Sequence, residues 1–211
     1  MSGKGVEFDQ EFTREHVALL YLISKYSHEA IKEDEFEQYI RHFALRTFIY
    51  EGIMKKIFDY DYAPMSVELF GGRRYVNISQ EGEDDLVDLR DNHLIECLKV
   101  TSTNYLPLSA FRINRKGLDA MAKALTPEIK AAVDKLVTCP VCNSLLEVRV
   151  HLLFSEDQKK AIDVQVHCRD CTHTYSSTIA DIESVSYCSS PYIPKIPRMN
   201  PTLDEDEKEC I

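Results

Sequence analysis

The amino-acid sequence predicts an α+β protein made of helices and short antiparallel hairpins. Apolar residues recur at helical spacing over residues 8–58, and apolar and polar residues alternate in three later pairs of segments. The third pair lies between two Cys-x-x-Cys motifs. With 211 residues, 44% of them hydrophobic, the chain is long enough to fold as one large or two small globular units.

The N-terminal region predicts two helical segments. In the stretch EHVALLYLISKY, Val17, Leu20 and Tyr21 follow helical spacing, and their apolar neighbours widen the stripe. A second run, from about residue 34 to residue 58, continues mostly at this spacing without a proline. Gly52 marks a bend or a break in it. We therefore assign residues 1–64 to a helical region.

The hydrophobic period changes after Pro64. The stretches MSVELF and RRYVNIS alternate around a Gly-Gly turn and predict a hairpin, while QEGEDDLVDLRDNHL predicts a helix with acidic residues at its start. LIECLKVTS and YLPLSAFRIN predict a second hairpin. Two more helices are predicted over RKGLDAMAKAL and IKAAVDKL, the second capped by Thr126 with Pro127 in its first turn.

A weak internal repeat links the two hairpins to the helices that follow them. Val76–Gly82 and Phe111–Gly117 each consist of a strand end, a polar cap, a polar step and a glycine. The order helix, strand, turn, strand, helix is the one that a winged-helix domain needs, and Leu86–Leu125 resembles the second half of such domains. We therefore predict a winged-helix-like region over residues 65–137, with a generic α+β domain as the alternative.

Four cysteines form the most specific motif in the chain. Cys139 and Cys142 make the first Cys-x-x-Cys pair, and Cys168 and Cys171 make the second. Zn²⁺ prefers four tetrahedral ligands and binds thiolates well, and each Cys-x-x-Cys turn presents two sulfurs. The sequence therefore predicts one structural zinc ion held by these four residues, in a zinc-ribbon module over residues 138–187.

The segment between the two motifs predicts the hairpin of this ribbon. LLEVRVHLLF and AIDVQVHC alternate, so Val148, Val150 and Leu152 can pair with Ile162, Val164 and Val166. Because such a sheet has little core of its own, we expect the metal to decide whether it folds. Removal of the metal is then expected to unfold residues 139–176 first and to leave the helical region largely intact.

Other ligand sets and other chemistries remain open for these cysteines. A pair of disulfides, two redox motifs or an iron–sulfur cluster would also use cysteine, although the redox motif favours a βαβ context and a helix N-terminus. His167, His173 or Cys188 can replace one thiolate or contact the site. Cys97 and the remaining histidines are interpreted as structural.

The charge of the chain disfavours nucleic acid as a partner. It carries 25 basic and 35 acidic side chains, for a formal net charge of −10, and none of the three regions 1–138, 139–190 and 191–211 is net basic. A single basic face would reverse this expectation, and its candidate members are Arg41, Arg46, Lys55, Lys56, Arg73 and Arg74. Protein partners within a complex are therefore expected, with nucleic acid a possible but disfavoured partner.

The sequence contains no motif that predicts catalysis or a membrane span. A shell of four thiolates leaves no open position for an activated water, and the common hydrolase, nucleotide-binding and metalloprotease motifs are missing. No apolar run reaches the length of a transmembrane helix, and the polar, acidic N-terminal residues fit neither a signal nor a transit peptide. We expect a protein that is not an enzyme, located in the cytoplasm or the nucleus.

Residues 188–211 predict an extended tail that is rich in proline and then acidic. Tyr192, Ile193 and Ile196 alternate with prolines, as in a peptide that docks along a partner surface. A plain linker is the alternative interpretation of this composition.

A winged helix followed by a four-cysteine zinc ribbon resembles the large (alpha) subunit of general transcription factor E. The resemblance rests on Leu86–Leu125 and on the two cysteine turns, Cys-Pro-Val-Cys and Cys-Arg-Asp-Cys. In that family the wing and the ribbon contact RNA polymerase and promoter DNA. Residues Thr101–Tyr105, at the predicted wing, include no Lys or Arg, which argues against direct contact with DNA and leaves contact with protein open.

These observations predict a non-enzymatic, zinc-binding adaptor or structural component that docks on proteins within a larger assembly. A transcription or RNA-processing factor, with contacts to polymerase or nucleic acid, is the alternative.

Overall fold

The computed structural model describes residues 12–30, 35–69, 72–102, 105–154 and 160–182, and the structural statements below concern these residues. They form five α-helices and three small antiparallel sheets, which confirms the predicted α+β class. The predicted tail over residues 188–211 lies outside the described residues. Within the described part of the chain, every helix is too short or too polar to span a lipid bilayer.

The helices are α1 (Arg14–Tyr26), α2 (His42–Met54), α3 (Gln80–Asp91), α4 (Arg115–Ala124) and α5 (Pro127–Val137). The strands are β1 (Ile40–Arg41), β2 (Ala63–Leu69), β3 (Gly72–Ile78), β4 (Ile95–Ser102), β5 (Tyr105–Ile113), β6 (Leu146–Phe154), β7 (Lys160–Cys168) and β8 (Thr174–Ser177). A 3₁₀ turn over Thr178–Ala180 follows β8.

The second helical segment is shorter than its spacing predicts. The helix begins only at His42, because Ile40 and Arg41 pair with β5 as a short strand. Phe36 has the predicted spacing but lies outside the helix with 89% of its surface exposed. Gly52 lies inside α2 and does not break it. Its missing side chain leaves room for the ring of Phe58, so the chain folds back over the end of the helix.

The three predicted hairpins are present. β2 pairs with β3, β4 pairs with β5, and β6 pairs with β7, all antiparallel. In the third hairpin the two sets of residues predicted to pair do so, with Val148 opposite Val166, Val150 opposite Val164 and Leu152 opposite Ile162. β1 and β8 were not predicted, and each extends a hairpin into a three-stranded sheet.

The internal repeat corresponds to two matching helix starts. The side chain of Ser79 caps α3 and accepts the backbone N–H of Gly82 at 3.1 Å. The side chain of Asn114 caps α4 in the same way and accepts the backbone N–H of Gly117 at 2.9 Å. Similar sequence therefore gives a similar strand-to-helix junction at two places in the fold.

The helices and the cysteine-containing sheet share one hydrophobic core. Cys139, Leu146, Val166 and Cys168 belong to the same buried cluster as the apolar faces of α1, α2 and α5. The Tyr26 hydroxyl also donates a hydrogen bond to the Leu146 carbonyl at 2.6 Å. Loss of the metal is therefore expected to disturb the helices as well, in contrast to the local unfolding that the sequence suggests.

A second, smaller core joins the β2–β3 hairpin to the last sheet. Tyr50, Val76, Ile78, Val164 and Ile179 are its buried members. The Ser177 hydroxyl donates to Glu51 of α2 at 2.6 Å, and the hydroxyls of Tyr50 and Thr178 lie 3.0 Å apart. The end of β8 and the start of the 3₁₀ turn thus contact the C-terminal half of α2.

A half-buried carboxylate ties the start of α3 to α2. Glu83 accepts two hydrogen bonds from Arg46, at 2.8 and 2.9 Å, and lies 2.9 Å from the ring of His42. Burial alone would raise the pKa of Glu83, but the hydrogen bonds from Arg46 and His42 outweigh it and lower the pKa from 4.5 to about 2. The ionised form is therefore favoured in the folded protein.

We predict that Glu83→Gln lowers the free energy of unfolding by about 2 kcal/mol at pH 7. A lowered pKa adds stability above the unfolded pKa of 4.5, and this stability is lost as the pH falls towards about 2. Urea midpoints of the wild type and the variant, compared at each pH, should converge over that window. Acid removes the metal from both proteins, and this effect cancels in the difference between their midpoints. A difference that stays constant with pH would therefore contradict the prediction.

Candidate metal centre

The first cysteine turn begins where α5 ends. The backbone N–H of Cys139 donates to the Ser144 carbonyl at 2.8 Å, and the N–H of Asn143 donates to the Cys139 carbonyl at 2.9 Å. Asn143 adopts a φ of 61°, which asparagine tolerates better than most residues and which allows the chain to turn sharply. This compact turn places the sulfurs of Cys139 and Cys142 on the same side of the turn.

The second cysteine turn connects β7 to β8. The backbone N–H of Cys168 donates to the His173 carbonyl at 2.8 Å, which closes the turn. The N–H of Arg169 donates to the Leu145 carbonyl at 3.3 Å and so ties this turn to the start of β6. Because β6 and β7 are paired, the two ends of the hairpin bring the two turns together.

The four cysteine sulfurs lie within 4.8 Å of one another, a geometry suited to a metal ion. The Sγ atoms of Cys139 and Cys171 are 3.5 Å apart, and those of Cys142 and Cys168 are 3.3 Å apart. A disulfide requires about 2.05 Å, whereas sulfurs bound tetrahedrally at about 2.3 Å lie roughly 3.8 Å apart. The arrangement thus fits a metal-binding set better than two disulfides.

Backbone amides stabilise negative charge on three of these sulfurs. The N–H groups of Val141 and Asp170 each lie 3.4 Å from the sulfur two residues earlier, on Cys139 and Cys168. The N–H of His173 lies 3.5 Å from the sulfur of Cys171. Such contacts favour the thiolate, which is the form that binds a metal.

The thiols also affect the ionisation of one another. The hydroxyl and the backbone N–H of Ser144, together with Cys168, lower the pKa of Cys142 to about 6. The His173 amide favours ionisation of Cys171, but burial and the three neighbouring thiols outweigh it and raise its pKa to about 12. Four sulfurs this close therefore ionise together only when a cation lies between them.

The site lies at the boundary between the core and the solvent. Cys139 and Cys168 are buried, Cys171 is half-buried and Cys142 is exposed. Two ligands therefore belong to the hydrophobic core, while the other two close the site from outside.

The other candidate ligands lie apart from this set. His167 and His173 are not members of the four-sulfur cluster, and the ring of His167 is 3.5 Å from Glu147 instead. Cys97 is half-buried in β4, as a structural thiol would be. Cys188 lies outside the described residues. Cys139 follows a helix and Cys168 ends a strand, so neither has the helix N-terminus that favours a redox motif.

Within the described ranges, the structure brings together one further group of potential ligands that the sequence did not suggest: His16, Asp85 and Asp88. His16 Nδ1 accepts the backbone N–H of Thr13 at 3.2 Å, so the neutral ring carries its proton on Nε2, 3.4 Å from Asp85. A ligating histidine would need the opposite tautomer. The Tyr60 hydroxyl also donates to Asp85. This group is therefore interpreted as a buried hydrogen-bond cluster that holds α1 to α3.

The model of the family described as the uncharacterized protein MJ1567 family matches residues 15–163, which is more than two thirds of the sequence, so the chain belongs to that family. The match includes the first cysteine turn and ends within β7, before the second. No curated protein matches the chain.

Proposed function

We propose that this member of the MJ1567 family is a non-enzymatic, zinc-binding adaptor that docks on other proteins within a larger assembly in the cytoplasm or nucleus. The observation that carries the proposal is the closed set of four cysteines, two of them buried in the core. Four protein ligands complete the shell of a structural zinc and leave no position for a reacting water. The metal then stabilises the fold and takes no part in catalysis.

Zinc is the ion that this ligand set favours. Thiolates select soft or borderline metals, and a tetrahedral set of four sulfurs is typical of zinc or iron. Two Cys-x-x-Cys turns at the end of an antiparallel hairpin are also the usual framework of a zinc ribbon. The last sheet contributes buried residues to a core that it shares with the helices. A zinc ion here would therefore stabilise a docking surface formed by the sheet and the helices together, and not an independent module.

Electrostatics favour a protein partner over nucleic acid. Of the basic residues that would form a nucleic-acid-binding face, Arg46 is paired with Glu83 and the Lys55 ammonium lies 3.9 Å from Glu51. The Arg74 side chain donates to a neighbouring backbone carbonyl. Phosphate binding needs several free cations on one face, and this set is partly neutralised in a chain of net charge −10.

We predict that the metal-loaded protein binds generic duplex DNA only weakly at physiological salt. Fluorescence anisotropy with a labelled duplex, measured over a range of salt concentrations, checks this. A tight complex whose affinity falls steeply with added salt would indicate several phosphate contacts and would contradict the prediction.

A transcription or RNA-processing factor is the second candidate function. The order of α3, β4, β5 and α4, followed by the cysteine site, is the order on which the resemblance to general transcription factor E rests. In this case the partner would be a polymerase or a processing complex that is contacted through protein surfaces.

Affinity purification of the full-length chain from its source cells tests the proposed function. We expect a fixed set of proteins to co-purify in stoichiometric amounts after nuclease treatment, and to be lost with Cys142→Ser but retained with Cys97→Ser. Association that disappears on nuclease treatment, or the recovery of no protein, would contradict the adaptor proposal. A retained set that contains polymerase subunits would favour the second candidate.

A further inference from the structure

The four cysteines of the metal centre differ in how far solvent can reach them. Cys139 and Cys168 expose 0% and 3% of their surface, and Cys171 is half-buried. Cys142 is exposed, and its neighbour in the turn, Val141, exposes 71% of its surface. Among the described residues, a small solute in the solvent therefore reaches the sulfur cluster most easily at Cys142.

A buried sulfur lies close to the exposed one. The Sγ atom of Cys168 is 3.3 Å from that of Cys142. A disulfide requires about 2.05 Å, so these two sulfurs need to approach by only about 1.3 Å to form one. Cys142 belongs to the first turn and Cys168 to the second, so a bond between them would join the two turns as a shared metal ion does.

This pair has the arrangement that favours oxidation by peroxide. A cysteine is oxidised more easily when it is a thiolate and when it is accessible to solvent, and a second cysteine beside it converts the product into a disulfide. A metal ligand is a thiolate, Cys142 is the accessible one, and Cys168 is the neighbour that can complete the reaction. The remaining close pair, Cys139 and Cys171, lies 3.5 Å apart but has no fully exposed member.

We propose that hydrogen peroxide switches this centre from a metal-bound form to a disulfide-bound form through Cys142 and Cys168. The inference rests on the proposed function, because it concerns the regulation of the same zinc site. It adds a signal, oxidation, to which the adaptor responds.

The reaction balances with peroxide as the oxidant. The Cys142 thiolate attacks one oxygen of hydrogen peroxide, the O–O bond breaks and hydroxide leaves, which gives a sulfenic acid. The Cys168 thiolate then attacks the Cys142 sulfur, the S–O bond breaks and a second hydroxide leaves. The two sulfurs lose two electrons in total, and the peroxide is reduced to two hydroxide ions, which solvent protons convert to water.

The disulfide releases the metal and holds the two turns together in its place. Only Cys139 and Cys171 remain as thiolates, which is too few for a closed zinc shell. Because Cys168 is bonded to the first turn, Cys139 and Cys168 are expected to stay in the core that they share with the helices. Exchange with a reducing thiol breaks the bond again, so the switch is reversible.

Peroxide treatment of the full-length, zinc-loaded protein tests the proposal. Serine replaces the three other cysteines, Cys97, Cys188 and Cys210, so that only the four ligands can react. One equivalent of hydrogen peroxide is expected to release the zinc, measured with a chromogenic chelator against a sample without peroxide. Peptide mapping without reduction should then recover Cys142 bonded to Cys168. A phosphine reductant and added zinc should restore the metal content.

Two histidine variants separate the exposed ligand from its neighbours. Histidine also binds zinc but offers peroxide no thiolate. In Cys142→His, zinc release by peroxide is expected to be at least about tenfold slower than in the parent protein. Cys171→His is the matched control, because it keeps the Cys142–Cys168 pair and should release zinc at close to the parent rate. If a histidine variant fails to bind zinc, the peptide map of the parent protein decides.

Hydrogen exchange distinguishes the switch from simple loss of the metal. In α1, α2 and α5, exchange should increase less after oxidation than in Cys142→Ser, which has neither metal nor disulfide. Zinc retained after the peroxide is consumed, a disulfide between Cys139 and Cys142, or equal rates in the two histidine variants would overturn the proposal. Metal content and protein partners are measured before peroxide is added, so failure of the switch and failure of the zinc-binding adaptor are distinguishable.

Discussion

Replacing Cys142 with serine is expected to release the metal and to lower the free energy of unfolding by several kcal/mol. A serine hydroxyl does not ionise as a thiol does, and three sulfurs leave the tetrahedral shell incomplete. Structural zinc contributes roughly 10–16 kcal/mol to the folding of zinc-finger peptides, so even part of this amount is large for a protein of this size. Cys142 is exposed, so its replacement removes little packing and isolates the role of the metal.

The unfolding of this variant should extend beyond the cysteine-containing sheet. Cys139, Leu146, Val166 and Cys168 share their core with α1, α2 and α5, so hydrogen exchange should increase in these helices too. Cys97→Ser, at the half-buried thiol of β4, is the matched control and should retain the metal. The same change at Cys188 tests whether the tail contributes a ligand. Metal release by Cys188→Ser, and not by Cys142→Ser, would contradict the ligand assignment.

Gly117→Ala is expected to lower the free energy of unfolding by about 2–4 kcal/mol. A Cβ atom at this position would lie 2.1 Å from the Leu94 carbonyl oxygen and 2.9 Å from the Ile113 side chain. The Leu94 carbonyl accepts the backbone N–H of Asn114, so it cannot move away without loss of a hydrogen bond at the cap of α4. The clash is therefore with fixed backbone, and α4 must shift away from the Leu94 carbonyl.

Gly82→Ala provides a matched control in the other copy of the repeat. Gly82 also lies three residues after its helix cap, but its nearest contact would be a side-chain atom, the Ile49 Cγ2 at 3.3 Å, and not a backbone atom. Because alanine favours helix by about 1 kcal/mol over glycine, the change should be close to neutral. Urea unfolding of the metal-loaded variants measures both effects. Equal destabilisation at the two positions would contradict this account of Gly117.

Local sequence patterns predicted the elements whose formation depends on near neighbours. The alternation around Val150 and Val164 predicted which side chains of β6 and β7 share a face, because a slip of one residue would expose every apolar side chain. The cap and proline at Thr126 and Pro127 located the start of α5. The Cys-x-x-Cys spacing gave the four-sulfur cluster, since each turn fixes two sulfurs and the hairpin joins the turns.

Features that depend on distant contacts were not predicted. Ile40 and Arg41 have helical spacing but pair with β5, and local periodicity does not reveal such a partner. β8 is short and half exposed, so it carries little hydrophobic pattern. The contacts of Glu83 with Arg46 and His42 join residues about forty positions apart, and nothing in the spacing of these charges marks them as a group.

Metal analysis of the native, full-length protein, combined with X-ray absorption at the metal edge, tests the central claim most directly. We predict one zinc per chain, bound by four sulfurs at about 2.3 Å. Iron in place of zinc, no metal, two metal ions per chain, or a nitrogen ligand from His167 or His173 in the shell would contradict the four-cysteine zinc site.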